Sequence, residues 1–502
     1  MFDIKSILNG CRPGDMALAV SPSRLPSKGE LNVKASQGNH HMTKAVAFAL
    51  LIFLTGCAIG PKYVKPTTQI PAAYKESADW KIAHPQDDAI RGEWWKIFND
   101  PRLDDLEAQV NISNQNIAVA QAQYAESYAL VQASKSAFFP TLGVTASNTR
   151  SHTSAKGKNT TSQNLLGADV NWEVDLWGKI RRTMQANSAN AQASLADLEG
   201  VRLSAQAQLA QDYFQLASLD EQKKLLDDTV VIYQKFLTLT KNRYASGVVA
   251  RTDVLQAQTQ LEGIRAQAID IGVQRSQLEH VIAVLIGKPA SDLSIPSLTL
   301  PATVPTVPLG LPSQILERRP DIAAAERRVA AANALIGVAQ AAYFPTLTLS
   351  ASGNYESSDL ARIFSSPNPL WSVGPALAGS IFDAGLRRAQ TAQAKATYEQ
   401  DVAAYRQTVL TAFQQVEDNL AALRILEQEA QVQNDAVKDA LQTLTFETNQ
   451  YKAGTVSALD VITTQATALN DQRTAVTILG SRMNACVLLI QYLGGGWTSS
   501  KE

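Results

Sequence analysis

Two runs of 65 residues limit what this chain can become. Residues 388–452 contain neither glycine nor proline, and residues 180–244 contain only Gly200. Nothing in either run breaks a helix, and at 1.5 Å per residue each predicts a rod of roughly 100 Å. A compact globular domain has no use for such a length. In the second run, Val402, Val409, Val416, Leu423, Ala430, Val437 and Leu444 repeat every seven residues. That spacing predicts coiled-coil packing along one seam.

The runs are two copies of one design. "SAFFPTL" from Ser136 matches "AAYFPTL" from Ala341, and "RYASGVVARTDVLQAQ" from Arg243 matches "QYKAGTVSALDVITTQ" from Gln450. Gly247 pairs with Gly454 and Asp253 with Asp460, each 207 residues apart. Landmarks recurring in one order at a nearly constant offset indicate an internal duplication. Each long helix should turn at its glycine and return, to about Ile286 in one copy and Tyr492 in the other.

Between each Phe-Pro and its long helix the period changes to two. Leu166, Ala168, Val170, Trp172, Val174 and Leu176 alternate with Gly167, Asp169, Asn171, Glu173 and Asp175. Leu142, Val144 and Ala146 alternate likewise, as do Leu347, Leu349 and Ala351; a weaker fourth segment, residues 371–381, is interrupted by Pro375. A membrane β-strand needs about 9–11 residues, apolar toward lipid and polar toward a lumen. On that reading Asp169, Glu173 and Asp175 face a lumen; the alternative is a pair of ordinary surface hairpins whose polar faces are solvated. Proline ends each preceding helix by removing an amide donor, so Phe-Pro-Thr-Leu marks the switch from helix to strand. Four strands cannot close a membrane barrel, and open edges in lipid leave backbone groups unpaired, so the barrel must be shared between chains.

The N-terminal region carries an address. Residues 42–57 read "MTKAVAFALLIFLTGC": a lysine, ten apolar residues, then Leu-Thr-Gly-Cys. The apolar stretch suits a signal-peptide core and is too short to span a membrane. The box resembles that of bacterial lipoproteins, in which the cysteine, here Cys57, is acylated and becomes the mature N-terminus. Ala58, rather than an aspartate, then implies the outer membrane. Residues 1–41 precede a good start at Met42 and are read as an over-extended, disordered segment. Residues 57–100 are read as an extended tether followed by a belt segment in which Trp94 and Trp95 pack.

Composition argues against other classes. A net charge of −1 gives no reason to expect nucleic acid. Cys11, Cys57 and Cys486 make no disulfide framework, with Cys486 read as an inert packed thiol. The five histidines lack metal-ligand spacing, no phosphate loop is present, and no acid–base or metal constellation supports an enzyme or a cofactor. The prolines of residues 288–312 mark a linker, so the chain divides into a first repeat (101–287), the linker, a second repeat (313–493) and a tail (494–502).

"LTGCAIGPKYVKP", "WWKIFNDPRLDDL" from Trp94, "ERRPDIAAAE" from Glu317, both Phe-Pro-Thr-Leu copies and both tip turns together resemble the outer-membrane factor (TolC-like) family, in its acylated efflux (NodT-type) branch. The resemblance covers residues 57–492. It implies a mainly α fold with a membrane β part: a homotrimer sharing a 12-stranded β-barrel above a long α-helical barrel. It also implies docking to a periplasmic adaptor and an inner-membrane pump, for export of drugs or other toxic small solutes. A protein-secretion duct and a non-conducting periplasmic coiled-coil lipoprotein are the alternatives. The turns holding Gly247 and Gly454 would form the periplasmic mouth. In some members the aspartate matching Asp460 faces the closed pore and favours cations; a second carboxylate three residues on is typical there, and this chain has Thr463. Ser457 and Asp460 equally resemble a capping box, so gate and cap both stand for Asp460, with Asp253 contributing less.

Overall fold

A computed structural model describes residues 58–71, 73–77, 92–153, 159–307, 318–365 and 369–496. The readings for residues 1–57, including the signal stretch and Cys57, lie outside the described residues, as do 308–312 of the linker and 497–502 of the tail.

The duplication is visible in the element order. The first repeat runs α1 (Pro101–Ser113), α2 (Gln115–Ser136), β1 (Thr141–Thr153), β2 (Asn159–Val174), α3 (Lys179–Ala245) and α4 (Arg251–Leu285). The second runs α5 (Pro320–Ala341), β3 (Thr346–Ser357), β4 (Pro369–Ala378), α6 (Leu386–Ala453) and α7 (Ala458–Tyr492). Helices α3 and α6 have 67 and 68 residues, about 100 Å each. The seven heptad positions of α6 are all buried or half-buried, with Val409, Val416 and Leu423 the deepest.

The helix starts follow from local chemistry. Asp100 accepts from the backbone N–H groups of Arg102 (3.0 Å) and Leu103 (3.3 Å), ahead of Pro101 in the first turn of α1. Asn114 accepts from Asn116 and Ile117 to start α2, and its Nδ2 donates to the Leu285 carbonyl at the end of α4. Arg319, buried at the start of α5, donates to Asp321, to Gln415 of α6 and to the Tyr492 carbonyl of α7, so the Arg-Arg-Pro-Asp motif ties three helices together.

Asp175 corrects the sequence reading. Strand β2 ends at Val174, and the Asp175 carboxylate accepts from the N–H groups of Ile180 and Arg181 (both 3.0 Å) and from Arg181 Nε (3.1 Å). It caps α3 and lies past the end of the strand. Asp383 does the same for α6, bonding the N–H groups of Gly385 and Arg387 and the Arg387 guanidinium. The alternation simply runs two residues past the strand.

The Phe-Pro junctions are clamped by indoles. Trp172 Nε1 donates to the Phe138 carbonyl (3.0 Å) and Trp177 Nε1 to the Pro345 carbonyl (2.8 Å), while Trp177 stacks on Phe344 with ring centroids 4.8 Å apart. The fourth strand begins two residues earlier than expected, at Pro369, and takes in Pro375 opposite Leu349 of β3.

Two apolar cores alternate with alanine-rich helix. A belt gathers Trp94, Trp95, Phe98, Phe214 and Tyr405 with Ile295 and Leu298 of the linker; a distal core holds Tyr233, Phe236, Leu261, Tyr451 and Ile462. Residues 58–71 form neither helix nor strand, yet they are no free tether. Ile59 N–H donates to the Trp177 carbonyl, Arg182 donates to the carbonyls of Ile59 and Gly60, Asn333 to that of Pro61, and Tyr63 bonds Glu326. A Cβ on Gly60 would stand 2.5 Å from the Cα of Gly337, so only glycine lets this strap lie on α5. Lower down, Glu417 of α6 accepts from the N–H groups of Lys75 and Glu76, and Arg424 pairs with Glu76.

Candidate functional site: a two-faced sheet and a helical tip

The four strands form one antiparallel sheet in the order β1-β2-β3-β4, with the central β2–β3 pairing joining the two repeats. Register sorts the side chains. Leu142 pairs with Val170 and Val144 with Ala168; Val170 continues to Ala351 and Val373, and Val174 to Leu347 and Leu377. This face is apolar and uncovered: Leu142, Val144, Trp371, Val373 and Leu377 all expose most of their surface. From Leu347 to Tyr355 it spans about 27 Å of extended chain, matching the ~25 Å apolar band of outer-membrane barrels. Aromatics mark both margins, with Phe139, Tyr343 and Phe382 at the helix side and Tyr355, Phe364 and Trp371 at the loop side.

The opposite face is polar. Gly167 pairs with Thr145 and Asn354; Asp169 pairs with Gly143 and Ser352; Thr348 pairs with Glu173 and Ala376. Asp169 accepts from Asn171 Nδ2 at 2.9 Å, and Glu173 pairs with Lys179 Nζ at 3.2 Å. The sheet therefore brings Asp169 and Glu173 to one face, joined by Glu356, which sequence reading missed although it continues the alternation of β3.

At the far end of the helices lie the two tip turns. Gly247 (φ 72°) and Gly454 (φ 84°) take the left-handed bend that closes each. Their backbones match: Gly247 N–H donates to the Tyr244 carbonyl and Val248 to Arg243, as Gly454 does to Tyr451 and Thr455 to Gln450. Asp460 accepts from the Ser457 N–H (2.9 Å) and hydroxyl (2.7 Å), and its own N–H donates back to the Ser457 hydroxyl (3.4 Å). The Ser457 side chain, then its backbone N–H, hold the Asp460 carboxyl below its ordinary range. Asp253 accepts only from the Ala250 N–H at 3.3 Å, because alanine offers no oxygen in return.

The sequence did not reveal how the tips are joined. Arg243 at the end of α3 donates to the Tyr451 carbonyl at the end of α6 and lies 4.5 Å above the Tyr451 ring. The Tyr451 hydroxyl meets the Thr240 hydroxyl at 3.3 Å. The duplication offset holds the signal: Gln450 occupies the position matching Arg243.

Among the described residues no group of three or more His, Cys, Asp or Glu side chains could hold a metal ion. Cys486 is fully buried, its Sγ 3.6 Å from the Pro305 carbonyl, and burial pushes its thiol up to about 12. Glu107 of α1 is buried with neither carboxylate oxygen bonded, and burial, then Asp104, raises its carboxyl well above the usual range.

The sheet, the margins and the rods describe a membrane channel with a long periplasm-type extension, and the comparisons decide the family. The profile of the outer membrane efflux protein family matches residues 107–288 and 311–495, one match per repeat. The chain belongs to the outer membrane efflux protein family. It is 30% identical over 468 residues to the antibiotic efflux pump outer membrane protein ArpC of Pseudomonas putida, covering 91% of this chain and 96% of ArpC. It is 26% identical to the cation efflux system protein CusC of Escherichia coli O6:H1, covering 90% and 99%. The solved outer-membrane channel OprN superposes with a TM-score of 0.82 at 29% identity, over 88% of this chain and all of that one. The fold is TolC-like, and the protein is an outer-membrane efflux channel.

Proposed function

We propose that three copies of this chain close one 12-stranded barrel and one helical tube, forming the exit duct of a tripartite pump. Each copy is anchored through a lipid on Cys57 and docks at its tip onto a periplasmic adaptor, itself fed by an inner-membrane pump. The cargo is small toxic solutes. The observation that carries this reading is the sheet: its apolar face suits lipid, its polar face suits water, and β1 and β4 each have one strand neighbour among the described residues. Unpaired edges are excluded from hydrocarbon, so further copies must complete the ring. The names of the relatives, an antibiotic efflux pump component and a cation efflux component, support small solutes as the cargo class. At the tip, three Asp460 carboxylates ring the mouth and favour cations, while each also caps its own helix.

Deleting the gene should raise the accumulation of a fluorescent cationic dye in the native cells, and a plasmid copy should restore export. Unchanged accumulation overturns the efflux reading. Mass spectrometry of the mature N-terminus should find acylated Cys57; cleavage elsewhere or a bare thiol removes the anchor. In planar bilayers Asp460→Asn should lower cation preference with little loss of thermal stability. Unchanged selectivity with lowered stability assigns Asp460 to capping alone.

A further inference from the structure

The polar face of the sheet breaks its own rule at one height. From the helix end upward it carries Thr, Ser, Gly, Asn, Asp and Glu with two small alanines, Ala376 and Ala378, and then two leucines. Leu165 pairs in register with Glu356, and Leu370 pairs with Asn354, the neighbouring position on the same face of β3. Gln163 Nε2 donates to Glu356 Oε1 at 2.5 Å. Gln163, Glu356 and Leu370 line one open recess of about 610 Å³ at the loop end of the strands.

We propose that this height of the lumen is a binding belt for amphiphilic cations, built from Leu165, Leu370 and Glu356. The proposal rests on the shared-barrel reading, which turns the recess into a ring of three. Leu370 is 50% exposed on a face otherwise made for water. Covering the exposed part of this leucine is favourable apolar burial, which this sheet leaves to an incoming molecule. Glu356 supplies the charge. Among the described strand residues the polar face holds Asp169, Glu173 and Glu356 and no lysine or arginine, so no cation on this face competes for that carboxylate. A small inorganic cation meets the charge without the apolar surface, and a neutral solute meets the apolar surface without the charge. A cation with an apolar body meets both.

The test uses the full-length protein in planar bilayers, with tetraphenylphosphonium or tetramethylammonium added on the side of the strand loops. Tetraphenylphosphonium should reduce the current at concentrations where tetramethylammonium does not. The double variant Leu165→Ser/Leu370→Ser and the single variant Glu356→Gln should each raise its half-effective concentration about fivefold, the scale of one exposed ion pair or a partly covered side chain. Light scattering should show the same particle mass for both variants. Equal action of the two cations, or no change in the variants, overturns the belt. Loss of the assembled particle in the leucine variant also overturns it, by assigning these leucines to packing between copies. A protein that never conducts contradicts the duct reading instead.

Discussion

The same ion pair occurs twice in this molecule and means different things. Arg275 of α4 pairs with Asp220 of α3 at 2.8 Å; 207 residues later, Arg482 of α7 pairs with Glu427 of α6 at 3.5 Å. Asp220 keeps 3% of its side-chain surface in water and Glu427 keeps 61%. The inter-repeat linker makes the difference. It crosses the first pair, where Leu298 N–H donates to Asp220, Ile295 N–H to Glu279, and Arg275 to the Ile295 carbonyl. Where the first repeat has Glu279, the second has Cys486, an apolar thiol under Pro305. Duplication supplies equal backbones, and what later lies on them decides whether a charge is buried.

The comparison can be broken most sharply at the arginines. Arg275→Met strands Asp220 in the belt and should cost roughly 3–5 kcal/mol, while Arg482→Met should cost under ~1 kcal/mol. Thermal midpoints of the two purified variants check this, and equal losses refute the linker's role. The tips offer the next contrast. Tyr451 is 1% exposed beneath Arg243, whereas its counterpart Tyr244 is 47% exposed. Tyr451→Ala should weaken the distal core by about 3 kcal/mol, and Tyr244→Ala should change it by less than ~0.5 kcal/mol, read as hydrogen-exchange protection of the ends of α3 and α6.

Buried carboxylates sharpen the comparison within the belt. Asp220 has its arginine, and Glu107 has none. Because the folded carboxyl of Glu107 is raised above 4.5, its influence favours folding at acidic pH and is lost as pH rises through the raised value. Glu107→Gln should therefore stabilise the protein at pH 8 and do so less at pH 5, with a smaller effect than Arg275→Met. The smallest contrast is the cap. Ser457→Ala should cost about 1 kcal/mol and Ala250→Ser should recover up to about that much, by completing the half-built box. The Asp460 carboxyl is held below 3.8, so its part of the cap is present above that pH and fades as pH falls through the lowered value.

Much of the architecture was legible because it is periodic. Gly-free and Pro-free runs, a seven-residue seam and an alternation of two are local properties, and they located the rods to within a few residues and found all four strands, though β2 starts at Asn159, well before the alternation read from Leu166. The parts that escaped are contacts between distant positions. Tyr63 meets Glu326 across 263 residues and Asn333 meets Pro61 across 272, so the strap looked like a loose tether. Asp175 was misassigned because alternation carries no information about where a strand gives way to a helix cap. Leu165 and Leu370 acquire meaning only when register places them on the polar face.

The central claim is that one chain supplies only a third of a barrel. Light scattering of the detergent-purified protein, corrected for bound detergent, measures this directly. The account predicts three chains per particle, each contributing the four strands of its sheet. A stable, conducting monomer would contradict it.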